Sequence, residues 1–442
     1  MIIHYKCLKS FFFFPFLVNM DYSKHISELS KARNPSAIRA LMPYMNRKDI
    51  ISLGAGQPNP ATFPFASMSI TLKTGETIQI DDALFSRALS YDMTPGQPRL
   101  NEWLCELQRL EHKPPVDFDL TIGAGSQDLL VKALEMMTNP GEALLVENPT
   151  YTGALSFLDT IDCTLADVAT DEFGIVPESL ETMLANWPES NPNGRKDQAR
   201  PHCLYTIPSG GNPTGVTATL ERKQAVYNIC SKYDIMILED DPYYYLQFDK
   251  QRTPSYLSLD VDGRVLRCDS MSKILSSGLR IGWATGPKVL IERINMHTMV
   301  TNLQPSGVPQ AMIYGLLEKW GYEGFFDHVS RVSDFYREKR DQFCECLERR
   351  MKGRAEWAIP TAGMFVWLKL LGGITDSYDL VMNKVLKENV LAIPGLAFMP
   401  QKNKNCYVRV SFSNVSKEEM DEALRRLAVV IDAEAESNQI KQ

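Results

Sequence analysis

The chain has 442 residues, of which 44% are hydrophobic and 23% are charged, and its formal net charge is −7. This composition is ordinary for a folded globular protein, and the length exceeds that of one minimal domain. The acidic balance gives no electrostatic support to a nucleic-acid partner, so we expect none.

The first 19 residues differ from the rest of the chain. They contain no acidic residue and carry an apolar run at residues 11–18, which is shorter than the roughly 18 residues that cross a bilayer. We therefore expect no stable membrane insertion. Neither a small-residue cleavage site nor an arginine accompanies this run. We interpret residues 1–19 as an unassigned extension ahead of a start at Met20, with a targeting signal as the alternative.

The middle of the chain alternates short apolar segments with helical patterns. Residues 143–146, 203–207, 235–238 and 265–268 are bounded by turn residues, as buried parallel strands are. Residues 220–233 between them have the length and periodicity of a helix. This alternation predicts an α/β domain with a mostly parallel central sheet.

Beyond about residue 300 the pattern changes. A long amphipathic helix is predicted at residues 325–350, strands at 364–370 and 407–412, and a closing helix at 417–433. These elements predict a smaller α+β domain at the C-terminal end. The predicted organisation is an extension at 1–19, an N-terminal arm at 20–50, a large domain at 51–300 and a small domain at 301–442.

Polar and aromatic residues follow several predicted strands, at the sheet edge where α/β proteins bind ligands. Gly125 and Ser126 lie between the segment DLTI and a helix, where free backbone N–H groups favour a phosphate. Tyr151 follows the next strand and offers a flat ring. Asn212, in PSGGNPTG, is held extended by the following proline and offers a side-chain amide. Each feature alone also fits a purely structural role.

The stretches EDDPYYY and DSMSKILSSGLRIG carry the more specific signals. Asp240 ends a buried apolar strand, where a carboxylate requires a cation or a strong donor, and a protonated ring nitrogen would satisfy it. Tyr243 is close enough in the chain to reach the same ligand. Lys273 lies among small residues and serine hydroxyls, and its amine can form a Schiff base with an aldehyde. Arg280 and the hydroxyls suit a phosphate dianion.

Together these residues describe one ligand, a flat aromatic aldehyde with a ring nitrogen and a phosphate. Pyridoxal 5′-phosphate has these features, and it requires a Schiff-base lysine and an acidic partner for its ring nitrogen. We therefore predict that the chain binds pyridoxal 5′-phosphate. The six histidines form no HExxH motif, so we expect no metal.

The chain resembles the class I/II aminotransferases, which have the aspartate aminotransferase fold (fold type I of the pyridoxal-phosphate enzymes), in the order of Asn212, Asp240, Tyr243, Lys273, Arg280 and Arg409. SMSKILSSGLRIGW, NPTG and DDPYY are similar to that family's motifs, and the likeness extends from about Asp21 to the last helix. SLGAGQPNPATFPF and EWAIPTAGMFVWLKL resemble the kynurenine/2-aminoadipate aminotransferases within it. The resemblance also implies a homodimer with shared active sites.

The resemblance implies a role for each matching residue. Lys273 would form the imine with the cofactor and carry the proton shift, and Asp240 would pair with the pyridinium. Tyr243 and Asn212 would hydrogen-bond the phenolic oxygen, and Tyr151 would stack on the ring. The phosphate would be held by Ser126, Gln127, Ser270, Ser272 and Arg280.

The remaining implied roles concern the substrate and the second subunit. Arg409 would clamp the substrate α-carboxylate together with Asn212. Arg39 and Gly56 would contribute to the substrate pocket from the N-terminal side. Tyr91, in LSYDMTPG, would reach the phosphate held by the partner subunit.

The implied activity is transfer of the amino group of 2-aminoadipate, kynurenine or a related aromatic or long-chain amino acid to 2-oxoglutarate, with ping-pong kinetics. An aromatic amino-acid aminotransferase or a cysteine-conjugate β-lyase on the same fold remains open. A non-catalytic effector sensor would carry a DNA-binding domain in front, for which residues 1–19 are too short. Nine scattered cysteines with no CxxC pair favour an intracellular protein with reduced thiols, in the cytoplasm or the mitochondrion.

Overall fold

The computed structural model describes residues 20–37, 41, 44, 47, 49–51, 53–54 and 56–440. The extension at residues 1–19 and the predicted substrate residue Arg39 lie outside the described residues. The four-part division of the chain stays a prediction. Within the described residues, no helix is both long enough and apolar enough to cross a membrane.

The described strands are β1 Ser69–Thr71, β2 Thr77–Gln79, β3 Asp119–Gly123, β4 Ala143–Asn148, β5 Thr164–Asp171, β6 Gly174–Ile175, β7 Cys203–Thr206, β8 Met236–Asp240, β9 Val265–Ser270, β10 Gly282–Gly286, β11 Ala355–Glu356, β12 Phe365–Leu370, β13 Ile393–Pro394 and β14 Tyr407–Ser411. β1 and β2 form a hairpin, and eight strands form a central sheet in the order β3-β10-β9-β8-β7-β4-β5-β6. A separate four-stranded sheet has the order β11-β12-β14-β13.

The described α-helices are α1 Glu28–Ala32, α2 Asp82–Ala88, α3 Pro98–Glu111, α4 Ser126–Met137, α5 Thr152–Leu158, α6 Pro177–Ala185, α7 Leu220–Lys232, α8 Lys288–Thr301, α9 Gly307–Met351, α10 Ser377–Asn383 and α11 Lys417–Ile440. α4 and α8 contribute buried apolar residues to the core on one face of the central sheet. α6 and α7 do so on the other face. The sheet is therefore covered on both sides, as a mostly parallel sheet must be.

The central sheet confirms the predicted α/β fold. Neighbouring strands β5, β4, β7, β8 and β9 are parallel, and four of them coincide with the predicted strands within two residues. β5, β6 and β10 of this sheet were not predicted from the sequence, and β6 has only two residues. β5 alternates buried with partly buried residues near the sheet edge, and β10 has glycine at both ends and runs antiparallel to its two neighbours. Neither shows the continuous apolar run of a buried parallel strand.

The second sheet lies in the C-terminal part of the chain with the two longest described helices, α9 and α11. α9 begins at Gly307, well before the helix predicted at residues 325–350. Its path changes at Gly321, whose φ of 61° and ψ of −174° are not helical. Glycine adopts this conformation without steric cost. The break explains why only the second half of α9 shows continuous helical periodicity.

A group of buried charged side chains lies near the ends of β8 and β9 in the central sheet. Arg267 is fully buried and contacts three carboxylates: Glu239 at 3.1 Å, Asp241 at 3.0 Å and Asp269 at 2.7 Å. Successive side chains of a strand point to opposite faces of the sheet. Glu239 and Asp241 therefore share the Arg267 face, and Asp240 between them points to the other face.

Replacing Arg267 with methionine removes the cation from these buried carboxylates while keeping much of its volume. Loss of one partner of a buried pair costs about 3–5 kcal/mol, because the remaining charge is uncompensated. We expect Arg267→Met to unfold at clearly lower urea than the wild type, as measured by circular dichroism. Arg195→Met, which breaks an exposed contact with Asp197, is the matched control and should change the midpoint little. Equal midpoints for both variants would contradict the charge pairing.

Candidate active site

A cavity of about 320 Å³ opens beside the carboxyl ends of the parallel strands and reaches the four-stranded sheet. It brings together eleven of the residues singled out in the sequence: Ser126, Gln127, Tyr151, Asn212, Asp240, Tyr243, Ser270, Ser272, Lys273, Arg280 and Arg409. Four further residues line it: Ile207, Pro242, Ser277 and Phe365. Residues separated by nearly 300 positions thus meet in one site.

Two of the proposed site residues do not line this cavity. Tyr91 is 52% exposed on the surface of the chain, and Gly56 lies on an exposed stretch with no atom within 4 Å of an added Cβ. Their predicted roles depend on contacts with a second subunit or with the N-terminal arm, and they stay predictions. Arg39 lies in the part of the arm that is not described.

One end of the cavity is built on the first turn of α4. The residue before this helix, Gly125, has a φ of 89° and provides no side-chain cap, so the first N–H groups of α4 are not capped by it. An added Cβ at Gly125 would lie 2.3 Å from Nη2 of Arg280, so glycine allows the guanidinium to approach the turn. A helix N-terminus beside an arginine favours an anion.

Arg280 is held at this end by neighbouring oxygen atoms. Its guanidinium donates to the carbonyl oxygens of Ser277 at 3.1 Å and Ala124 at 3.3 Å, and to the hydroxyl of Ser272 at 3.4 Å. The Ser270 hydroxyl accepts a hydrogen bond from the backbone of Ser272 at 3.1 Å. These contacts place a fixed cation and two hydroxyls around the start of α4.

The floor of the cavity contains one buried carboxylate. Asp240 is 4% exposed, and its Oδ2 accepts a hydrogen bond of 3.0 Å from the Tyr205 hydroxyl. Within the described residues, Oδ1 is buried and has no hydrogen-bond partner. Burial, with smaller contributions from neighbouring acids, raises the pKa of Asp240 to about 7. A proton donor or cation entering the cavity would satisfy Oδ1 and restore its charge.

Lys273 lies on the wall of the same cavity. Its Nζ is 5.7 Å from the centre of the Tyr243 ring. Burial lowers the pKa of Lys273, and the positive charges of Arg280 and Arg409 lower it further. A lowered pKa makes the neutral amine, the form that acts as a nucleophile or a base, easier to reach than in an exposed lysine.

The opposite end of the cavity holds a second arginine, on β14 of the smaller sheet. Arg409 donates to Oδ1 of Asn212 at 2.9 Å. Its guanidinium lies over the ring of Phe365 at 4.3 Å and near the ring of Phe398 at 5.1 Å. Aromatic faces attract a cation without satisfying its N–H groups. Among the described residues, its buried Nε has no hydrogen-bond partner, so this side of the guanidinium can bind a carboxylate in the cavity.

The cavity is strongly biased towards anions. Its charged lining residues are three cations, Lys273, Arg280 and Arg409, and one acid, Asp240. The cations lie at separate positions, so the site can hold one anionic group at α4 and a second at β14, with a protonated atom facing Asp240. Within the described residues, no cluster of histidine, cysteine and acidic side chains could hold a metal ion.

Two residues of the site were not predicted from the sequence: Tyr205, which hydrogen-bonds Asp240, and Phe365, which lines the cavity. Tyr205 lies inside an apolar strand, where a tyrosine is indistinguishable from an ordinary core residue. Its contact with Asp240 follows from the parallel pairing of β7 and β8. Phe365 begins a strand of the second sheet, so its place in the cavity depends on how the two sheets meet. Sequence patterns alone carry neither piece of information.

Comparison with known proteins places this site in a family. Residues 48–427 match the family model for aminotransferase class I and II. The bovine (Bos taurus) kynurenine/alpha-aminoadipate aminotransferase, mitochondrial, is 45% identical over 424 residues, which cover 93% of this chain and 99% of the relative.

Solved structures agree with this match and confirm the predicted fold. The crystal structure of aminotransferase Aro8 from Candida albicans has a TM-score of 0.84 at 30% identity, covering 95% of this chain and 99% of that one. LysN, an alpha-aminoadipate aminotransferase from Thermus thermophilus solved with N-(5'-phosphopyridoxyl)-L-leucine, has a TM-score of 0.70 at 28% identity, covering 78% and 84%. The family match spans most of the chain and includes every residue that lines the cavity. This chain therefore belongs to the class I and II aminotransferases.

Proposed function

We propose that the chain binds pyridoxal 5′-phosphate and transfers the amino group of 2-aminoadipate, kynurenine or a related amino acid to 2-oxoglutarate. The observation that carries the proposal is the buried Oδ1 of Asp240, which has no hydrogen-bond partner in the part of the chain that the structure describes and shares one cavity with Lys273. The substrate class is supported by the bovine relative, and the cofactor by the phosphopyridoxyl compound in LysN.

The residues present fit this cofactor at each of its polar groups. The turn before α4, with Ser126, Ser270, Ser272 and Arg280, would hold the phosphate. Asp240 Oδ1 would accept a hydrogen bond from the protonated ring nitrogen, which matches its lack of a hydrogen-bond partner among the described residues. Tyr243 and Asn212 would hydrogen-bond the ring oxygen, Tyr151 would stack on the ring, and Lys273 would hold the aldehyde carbon covalently.

The chemistry then divides between the cofactor and the chain. Pyridoxal phosphate, when bound, supplies the ring that accepts electron density from the substrate α-carbon. The Asp240 carboxylate would keep the ring nitrogen protonated, which favours this acceptance. The Lys273 amine, released when the substrate amine replaces it, would serve as the base that takes the α-proton and as the acid that later gives it up. Arg409 holds the α-carboxylate throughout, so the α-proton faces the same amine in each cycle.

We also propose a homodimer with shared active sites in an intracellular compartment. Arg280 and Tyr91 are both exposed on the isolated chain, although Arg280 belongs to the phosphate end of the cavity. A second copy covering this side would exclude water from the phosphate and bring its own Tyr91 towards it. The compartment is supported by the bovine relative, which is named a mitochondrial enzyme.

The first test is the absorbance spectrum of the purified protein with pyridoxal phosphate, before and after addition of 2-aminoadipate or kynurenine. We expect the absorbance band of a conjugated imine between the cofactor and a lysine, and either donor should abolish it. Borohydride reduction followed by peptide mass spectrometry should find the cofactor on Lys273, and Lys273→Ala should abolish the adduct. Phenylalanine is added as a third donor, because an aromatic amino-acid aminotransferase would lose the band with it.

Each outcome of this test is informative. A band that responds to neither 2-aminoadipate nor kynurenine contradicts the substrate proposal. A reduced adduct on another lysine contradicts the assignment of Lys273.

Replacing Asp240 with asparagine removes the acidic partner of the ring nitrogen. We expect Asp240→Asn to keep the fold and lose about 100-fold or more in turnover, as when one preorganised electrostatic group is removed. The folded-state pKa of about 7 lies above the usual 3.8, so the ionised carboxylate destabilises the cofactor-free protein as the pH rises through this interval. Cofactor-free Asp240→Asn should therefore resist urea better than the wild type at about pH 8, and this advantage should vanish below about pH 4. Normal turnover would rule out the proposed role.

Replacing Arg409 with alanine removes the proposed carboxylate clamp. Loss of charge-assisted hydrogen bonds of about 1.5–3 kcal/mol corresponds to a rise of about 10- to 100-fold in the apparent KM. We expect this rise for both the amino acid and the 2-oxo acid, because each carries the same carboxylate. Arg425→Ala, which removes an arginine paired with Glu422 on the surface of α11, should leave both KM values unchanged. A rise for only one substrate would place the shared clamp elsewhere.

A further inference from the structure

The three consecutive acidic residues at the end of β8, Glu239 to Asp241, differ in the side chains that pair with them. Glu239 and Asp241 lie on the face of Arg267, at 3.1 Å and 3.0 Å from its Nη1. Asp240 lies on the other face, and the side chain that hydrogen-bonds it within the described residues is the neutral Tyr205, at 3.0 Å. The fold thus supplies an arginine to the two flanking acids and a phenol to the one that faces the cavity.

Tyr205 is fixed in the position from which it reaches Asp240. It lies on β7, paired in register with Leu238 of β8, two residues before Asp240 and therefore on the same face. Its side chain is 0% exposed and packs in the apolar core that α4 shares with the sheet. Burial and the nearby Asp240 raise the pKa of Tyr205. The hydroxyl therefore stays protonated and donates a hydrogen bond to Oδ2 of Asp240.

A neutral donor has a different effect on Asp240 than a cation would have. A lysine or an arginine at this position would cancel the charge of the carboxylate and remove its attraction for a protonated ring nitrogen. A phenol stabilises the carboxylate by one hydrogen bond and leaves its charge in place. Because this bond occupies Oδ2, it leaves Oδ1 as the oxygen that serves the cavity.

We propose that Tyr205 is a positioning residue that keeps the shared proton on the ring nitrogen of the cofactor rather than on Asp240. The inference rests on the proposed function, since it concerns the partner that Asp240 has when pyridoxal phosphate is bound. Without the phenol, Asp240 is a stronger base and draws the proton away from the ring nitrogen. The ring then accepts electron density less well, and turnover falls although substrate binding is unchanged.

The test uses Tyr205→Phe loaded with pyridoxal phosphate that carries ¹⁵N in the ring. The ¹⁵N chemical shift reports directly whether the ring nitrogen is protonated. We expect the ¹⁵N signal of Tyr205→Phe to move towards the value of the unprotonated ring nitrogen. We also expect kcat to fall about 10-fold, which corresponds to about 1.4 kcal/mol of lost transition-state stabilisation, while KM stays unchanged. Weaker binding of the cofactor, measured by titration into the cofactor-free protein, should accompany the shift.

Tyr227→Phe is the matched control. Its hydroxyl lies 3.0 Å from the buried Asp260 carboxylate and 2.6 Å from the partly buried Asp262 carboxylate, so its proton is shared between them, and neither acid lines the cavity. This variant should lose stability without moving the ¹⁵N signal or kcat. A shift of equal size in Tyr227→Phe would mean that the effect follows general destabilisation, and it would overturn the inference.

A second replacement keeps the inference testable if Tyr205→Phe does not fold. 3-Fluorotyrosine at position 205 preserves the shape of the side chain and makes its hydroxyl a stronger donor, so the ¹⁵N signal should move towards the protonated form. An unchanged signal in both Tyr205 variants would overturn the inference and leave the proposed function standing. A wild-type protein that binds no pyridoxal phosphate would instead overturn the proposed function.

Discussion

Burial of the Asp240 carboxylate at the carboxyl end of β8 is the constraint on which the rest of the site depends. A buried charge is costly unless it is paired, and the cation of this region, Arg267, serves the opposite face of the sheet. Asp240 is therefore held by a phenol that does not neutralise it, and burial raises the pKa of its carboxyl to about 7. Oδ1 has no partner among the described residues, so a ligand that brings a proton to it relieves the cost of burying this carboxylate.

The three cations of the cavity are held in place by different kinds of contact. Arg280 is fixed by oxygen atoms around the first turn of α4, whereas Arg409 lies against aromatic rings and Asn212. Lys273 lies in the same cavity with its pKa lowered by burial and by both arginines. This arrangement defines an orientation for any ligand with two separated anionic groups. A single merged cluster of positive charge would attract anions without orienting them.

Much of the site was predictable because its residues follow strands whose order the sequence reveals. Asp240 and Lys273 stand out as charges beside apolar strands, and their positions in one cavity follow from the shared edge of a parallel sheet. Arg267 lies within the predicted strand at residues 265–268 but was not singled out, because two of its carboxylate partners, Glu239 and Asp241, come from the end of the neighbouring strand. Tyr205 has no polar signature in a strand of core residues. The contacts that cross between strands or sheets were therefore missed, while those at strand ends were found.

The hydrogen bond between Arg409 and Asn212 joins the small sheet to a loop of the central sheet at 2.9 Å. The α-carboxylate of any amino acid would be held there, so this contact cannot distinguish one substrate from another. 2-Aminoadipate and 2-oxoglutarate each carry a second carboxylate, whereas kynurenine carries an aromatic ring. The three cations that line the cavity already have proposed partners in the cofactor and the α-carboxylate. The second carboxylate therefore requires a further cation, and the predicted Arg39 on the N-terminal arm is the residue we expect to provide it. We therefore expect the N-terminal arm to contribute to selectivity between the two substrate types.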